Sequence, residues 1–233
     1  MPRPLARSRR LATAARWPIG VGLTSWRYMW RTTPMHRTEE RGDPDRDAPP
    51  SLPGELDRAE LQPAEAGAGP LYHRRYRARI RDTPWSPEDV IAHVSADPDR
   101  VAPIELASFQ KVHGPEGAMR PGDEYVVRMP APWDGPVRVV EVTPSSFRLV
   151  TLAGHLEAGQ IEFRADRDAG LLRFTIESWA RNGDRFAELL YDRLRMAKEV
   201  QLHIWTSLLE RVAKQSGGRL TGGIEIRTRK LDG

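Results

Sequence analysis

From Leu71 onward, apolar side chains recur at every second position in short runs that Gly, Pro, Asp or Ser interrupt, the signature of half-buried strands. Over residues 71–80, Tyr72, Tyr76, Ala78 and Ile80 take the inner side, while His73, Arg75, Arg77, Arg79 and Arg81 make a ladder on the outer side. The period then changes. Ser86-Pro87-Glu88-Asp89 reads as a helix start, with a capping serine, a proline at the first helical position and acids in the first turn; Val90, Ile91 and Val94 supply its apolar face. Asp97-Pro98 opens a second short helix ending near Pro103. Strands are predicted at 105–112, 123–129, 136–142, 146–153, 158–166 and 171–181, the last with Leu172, Phe174, Ile176 and Ser178 on one side and Arg173, Thr175 and Glu177 on the other. Asp184 caps a long helix that Gly217-Gly218 stops. Its buried stripe is Phe186, Leu190, Ala197, Val200, Ile204, Leu208 and Val212, and Glu188, Asp192, Arg195 and Glu199 stay in water.

This order predicts an α+β domain over 70–214, followed by a tail over 215–233. A curved sheet of seven mostly antiparallel strands has one apolar face to cover, and only the long C-terminal helix is large enough to cover it. A sheet curved around a helix leaves room for a cavity between the two. Tyr72, Tyr76, Tyr125, Phe147, Phe163 and Phe174 point to that concave side, where they either fill the space or line a pocket.

The charge is unevenly spread. Residues 1–37 hold eight arginines and no acid, residues 38–69 sum to −6, and the remainder of the net +4 leaves +2 for 70–233. Within the basic arm, Ile19, Leu23, Trp26 and Trp30 fall on one helical stripe, suited to docking on protein or lying on a membrane surface. The apolar run between Arg16 and Arg27 is far short of the about 20 residues a span needs, and no small-residue cleavage site follows it. A retained, cytoplasmic chain is expected, peripheral at the inner membrane face if the stripe meets lipid. Residues 38–69 are rich in Pro, Gly and acid without periodicity and read as a linker, so residues 1–66 are expected to be separable from the domain.

Composition removes several chemistries. Without cysteine there is no disulfide, thiolate zinc site or thiol nucleophile. No two of the six histidines stand at helical metal spacing, and neither a nucleophile elbow nor a phosphate-binding or dinucleotide glycine loop is present; no metal and no cofactor are expected. Only four of 36 basic residues are lysines, which follows from a GC-rich genome, and no aromatics interleave with the outer-face ladder, so nucleic acid is not an expected partner. That ladder reads as solvated and partly neutralised by Glu177 on the neighbouring strand, with phosphate binding as the alternative. His203 on the long helix reads as a rim or solvent residue.

Two segments carry a resemblance. Gly67-Ala68-Gly69-Pro70-Leu71-Tyr72-His73-Arg74-Arg75-Tyr76 and Thr151-Leu152-Ala153-Gly154-His155-Leu156-Glu157-Ala158-Gly159 resemble the start and the Gly-His…Gly hairpin of an uncharacterised family of actinobacteria and plants. The element order resembles the START-like superfamily, also called SRPBCC or Bet v 1-like, with its helix-grip fold. The chain departs where the family has two glutamates after the second glycine, for here Gln160 and Ile161 follow. That family has no established activity, so no catalytic residue is carried over; the superfamily implies a hydrophobic ligand pocket.

Bound to that expectation are Tyr72, Tyr76, Tyr125, Phe147, His155, Glu157, Phe163 and Phe174 as candidate ligand-binding residues. His155 either pairs with a carboxylate near Glu157 or hydrogen-bonds the turn and fixes the hairpin. The first functional reading is a non-enzymatic binder of a hydrophobic small molecule or lipid. The second is a cavity enzyme of cyclase or dehydratase type, with His155, Glu157 and Tyr125 as proton donors and acceptors. The third is an interaction protein that uses the Trp-rich arm.

Overall fold

The computed structural model describes residues 33–54, 57–129, 134–183 and 191–232, with side chains of the last helix from Glu199 on. The arm stripe of Ile19, Leu23, Trp26 and Trp30 and the helix positions Phe186, Leu190 and Ala197 lie outside the described backbone or side chains.

The seven predicted strands are present as β2 (Ala68–Arg81), β3 (Ser108–His113), β4 (Glu124–Arg128), β5 (Asp134–Thr143), β6 (Ser146–Thr151), β7 (Glu157–Asp168) and β8 (Leu171–Asn182). Two more join them, β1 (Met35–Arg41) and β9 (Arg219–Leu231), and the sheet runs β1-β9-β2-β8-β7-β6-β5-β4-β3. The expected sheet of seven antiparallel strands is therefore a mixed sheet of nine, because β1 pairs with β9 in parallel. The physical reason is visible in β9: Ile224 and Ile226 alternate with Glu225 and Arg227, and both isoleucines are buried in the main core. Residues 219–231, read as a tail, are thus an interior strand between β1 and β2.

Helix α1 (Pro87–Ala96) starts as its sequence dictates: the Ser86 hydroxyl accepts from Asp89 N–H, the Asp89 carboxylate accepts from Ser86 N–H, and Pro87 opens the first turn. A single 3-10 turn, Pro98–Arg100, follows in place of the second short helix. Helix α2 (Tyr191–Gln215) ends at Gly217, whose φ of +70° suits glycine and brings Gly218 N–H onto the carbonyl of Ala213. Leu202, Leu208, Leu209, Val212 and Ala213 pack with Tyr76, Ile80, Phe147, Phe163, Phe174 and Ile224 of the concave face. Ile204, Leu208 and Val212 of the predicted stripe are buried, but Ile204 belongs to a second cluster with Leu106 and Ala107, against which Val127 of β4 packs. This second cover explains a correction: His203, expected at the rim, is buried, because α2 is enclosed on more than one side.

The outer face of the sheet is also covered over half its extent. Residues 43–54 and 57–66 lie across it as a strap, held chiefly through polar groups. Gln160 donates to the Pro50 carbonyl (2.8 Å), Arg138 to those of Asp57 and Ala59 (3.0 and 3.1 Å), and Gln62 N–H to that of Thr151 (2.7 Å). Ala64 adds one small apolar contact cluster with Leu71, Trp179 and Leu231.

At the centre of the strap Asp47, 1% exposed, accepts from His73 Nδ1 at 2.8 Å, and the other ring nitrogen, Nε2, reaches Glu177 at 2.7 Å. Each ring nitrogen thus meets a carboxylate oxygen, and a ring N–H donates to it. It also stacks on Trp179, with centroids 5.0 Å apart and planes 10° apart, while Arg229 bonds Asp47 at 2.6 Å. His73 is accordingly not part of a solvated ladder. Residues 35–66, read as the end of the arm and a linker, hold an edge strand and the acid that bonds the buried His73.

Burial alone pushes the Asp47 carboxyl up, but the Asp43 N–H, Arg229 and His73 outweigh it and hold it at about 2. The folded value lies below the ordinary 3.8, so this stabilisation is complete above about pH 4 and is lost as pH falls through about 2. Asp47→Ala should lower stability at neutral pH by about 3 kcal/mol, since it removes the buried acid that His73 and Arg229 share. Denaturant melts of wild type and variant from neutral pH to acid check this; curves that coincide at neutral pH would show that the strap does not bear on stability.

Candidate functional site

The predicted hairpin builds one corner of the concave face. Gly154 sits at φ +93° in the turn between β6 and β7. His155 Nδ1 lies 2.9 Å from both the N–H and the carbonyl oxygen of Glu157, so the ring is tied to the backbone of its own turn. Burial pushes its pKa down, against a smaller opposing pull from Glu157. Gly159 is required by a close approach: a Cβ there would lie 2.0 Å from the Trp179 carbonyl oxygen of β8. The strap locks the corner from outside, for Gln62 Nε2 donates to the carbonyls of His155 (3.0 Å) and Glu157 (3.3 Å), and the Gln62 backbone carbonyl accepts from Gly159 N–H (2.9 Å) and the Thr151 hydroxyl (2.6 Å).

What this corner positions is the Glu157 carboxylate, which turns inward between sheet and helix. Its Oε1 lies 3.5 Å from Arg74 Nη1 of β2, and its Oε2 accepts from Gln201 Nε2 of α2 at 2.6 Å. The Arg74 guanidinium, itself buried, sits 4.8 Å from the centroid of the Tyr72 ring. Tyr76 is next along the same side of β2; burial pushes its phenol up to about 12, with Arg74 opposing and Glu157 reinforcing, so it holds its proton across the physiological range. Three elements that are distant in sequence thus bring a cation, a carboxylate and an amide together at one end of the grip.

The other predicted residues are placed differently. Phe147 and Phe163 stack at 4.6 Å, Trp205 of α2 meets Phe163 edge-on at 5.6 Å, and Phe174 is fully buried in the same cluster. Tyr125 is buried on β4 beneath Lys111, 5.4 Å from its ring centroid, and Lys111 is in turn bonded to Asp123 at 2.7 Å. Between β4 and β7 stand β5 and β6, so Tyr125 lies three strands from Glu157, while His155, in the turn before β7, lies against Gly135 of β5. Gln160, where the family pattern has a carboxylate, serves the strap on the opposite face.

A pocket of about 310 Å³ lies between strap and sheet, lined by Pro49, Pro50, Leu52, Pro63 and Val150 together with the polar Gln160, Arg58 and Glu65. Among the described residues, no three His, Asp or Glu side chains are grouped to hold a metal ion, and no helix is long and apolar enough to cross a membrane.

Sequence reasoning missed Arg74 and Gln201. Arg74 had a signal, since it shares the inner parity of Tyr72 and Tyr76. Gln201 had a weaker one, lying four residues after Ala197 and three before Ile204 on the predicted buried stripe of the long helix.

Residues 104–211 match the sequence model of a family described as Domain of unknown function (DUF1990). The match runs from before β3 into α2, leaving β1, β2, β9 and the strap outside it. The architecture is helix-grip-like. No curated protein matches the chain.

Solved structures resemble it at low identity over 61–66% of this chain. A major latex-like protein of Panax ginseng is 13% identical over 62% of this chain and 97% of its own, with a TM-score of 0.43. A protein of Thermus thermophilus is 15% identical over 63% and 99%, at 0.45. The di-domain ARO/CYC StfQ of the steffimycin biosynthetic pathway is 8% identical over 66% of this chain and 52% of its own, at 0.48.

His155 gives a sharp expectation. Its folded pKa lies below the ordinary 6.5, so its contribution is present above about pH 6.5 and is lost as pH falls below that value. His155→Ala should cost about 1–2 kcal/mol near pH 8 through the lost turn hydrogen bond, and less in mild acid. Paired melting curves at the two pH values test it, and a gap that widens toward acid would reverse the assignment.

Proposed function

We propose that this chain binds a small, largely apolar molecule at the end of the grip where Arg74, Glu157 and Gln201 meet, and holds the molecule's polar end on those groups. The observation that carries the reading is the inward carboxylate–guanidinium pair, set against Tyr72 and Tyr76 and bridged to α2 by Gln201. A few fixed polar groups beside an apolar wall are what orient a small ligand. Phe147, Phe163 and Phe174 act in this reading as the floor on which the site rests, with Tyr125 on the far side of the core. Glu157 keeps 23% of its side chain accessible while Arg74 keeps 8%, so a ligand reaches the carboxylate first.

Binding is favoured over turnover by the state of the candidate proton carriers. His155 is tied to the backbone of its own turn, Glu157 is held by Arg74 and Gln201, and Tyr125 stands three strands from Glu157.

Native mass spectrometry of the purified full chain tests for a co-purifying small molecule. A titration with anilinonaphthalene sulfonate, an apolar probe with one anionic end, tests the site itself. Arg74→Met should weaken the probe roughly fivefold and Glu157→Gln should tighten it by a similar factor, each by removing one charge of about 1 kcal/mol. Affinities that stay equal, or that move in the same direction in both variants while melting temperatures hold, would overturn this placement.

A further inference from the structure

The sheet ends in β3 on one side and β1 on the other, and among the described residues no strand pairs with the outer edge of either. The two ends are built differently. The register of β3 shifts between Lys111 and His113, and an irregularity of that kind blunts an edge against further pairing. β1 has no such break. Met35–Arg41 runs in unbroken register against β9, contains no proline, and is exposed at every residue from His36 to Arg41. A regular edge of this length is a template for another strand.

Ladder geometry fixes which groups that edge offers. The Pro34 carbonyl accepts from Ile224 N–H, and Gly42 N–H donates to the Lys230 carbonyl. Alternate residues of a parallel ladder serve the same neighbour, so His36, Thr38 and Glu40, between these two bonds, also face β9. Met35, Arg37, Glu39 and Arg41 therefore present their N–H and carbonyl groups to the open side. An antiparallel partner must then set open-side residues directly opposite open-side residues.

For a second copy of the same strand, charge selects among the registers that remain. In the register centred on Thr38, Arg37 of each copy faces Glu39 of the other, His36 faces Glu40, Met35 faces Arg41, and the two threonines meet on the twofold axis. The neighbouring registers fail. Centred on Arg37, two arginines meet on the axis; centred on Glu39, two glutamates meet there and Arg37 faces Arg41. Opposite charges across an antiparallel pair stabilise it, and like charges directly opposite destabilise it. The complementarity holds on both faces of the sheet. Arg37 and Glu39 share the side of Met35, which packs against the main core, while His36 shares the side on which Glu40 lies 3.6 Å from Arg229.

We infer that β1 is the contact edge of a homodimer, in which the β1 strands of two copies pair antiparallel about Thr38 and join the two sheets edge to edge. A twofold axis sets the same patch against itself in reverse, and Arg37-Thr38-Glu39 read in reverse is its own complement in charge.

The test is sedimentation velocity of the full chain at micromolar concentration. Wild type should sediment as a dimer and shift toward monomer as salt rises. Arg37→Glu and Glu39→Arg each set like charges opposite one another at two symmetric positions, and each should weaken dimerisation at least about tenfold with the melting curve held. An equal mixture of these two single variants should form a heterodimer, because the acids of one then face the arginines of the other. The double variant Arg37→Glu/Glu39→Arg, which reverses both charges of the pair, should dimerise as wild type does. A monomeric wild type, a single variant that dimerises as wild type does, or a mixture that stays monomeric would each overturn the inference.

Discussion

Strand β2 is paired along nearly its whole length on both edges, with β8 on one side and β9 on the other, and it is loaded on both faces. Its even positions, Tyr72 to Ile80, face α2; its odd positions begin with a histidine buried under the strap. A slip by one residue would drive His73 and the arginines into the grip and turn Tyr76, Ala78 and Ile80 outward. Two neighbours specifying the same register make that slip inaccessible. The helix packing, the ion cluster beneath the strap and the inward aim of Arg74 all inherit their geometry from this one constraint.

The outer face could have been covered with apolar residues, and it is not. Asp47, His73, Glu177 and Arg229 form an alternating row of acidic and basic side chains, with Arg75 and Arg164 at its border. Burying such a row gains little over a hydrophobic patch of the same size, but it makes the wrong arrangement expensive, because any shift of the strap strands a charge. The remaining strap contacts point the same way: Gln160, Arg138 and Thr151 each bond a particular backbone carbonyl. Docking of this kind is defined by position, not by area.

That chemistry explains what could be read in advance. The seven central strands, the Ser86 cap and the helix stop at Gly217-Gly218 were legible because alternation, capping residues and glycine act locally. β1 was not, because Met-His-Arg-Thr-Glu-Glu-Arg is an edge strand with almost nothing to bury. β9 carries its signal in only two isoleucines, behind glycine pairs that look like the end of a domain. The strap had no periodicity to find, since it docks through carbonyls and a single acid. His73 was placed on the correct face of its strand, but its burial depends on Asp47, 26 residues earlier and in a different kind of segment. In the site, Glu157 and the two tyrosines of β2 were visible, while Gln201 is defined only once α2 lies across the sheet.

The Gly154–Gly159 hairpin joins the two faces. Glu157 gives its carbonyl to Gln62 of the strap outside and its carboxylate to Arg74 and Gln201 inside, with its N–H held by His155. Three anchors on one residue leave little freedom in its backbone, and the absent Cβ of Gly159 lets β7 pass close enough to β8 for the carboxylate to reach β2's inner side. A glycine, a histidine and a glutamine from the strap thereby fix a carboxylate that faces the grip. The specificity of the hairpin motif is then a matter of backbone geometry: its residues are constrained because they aim a neighbour.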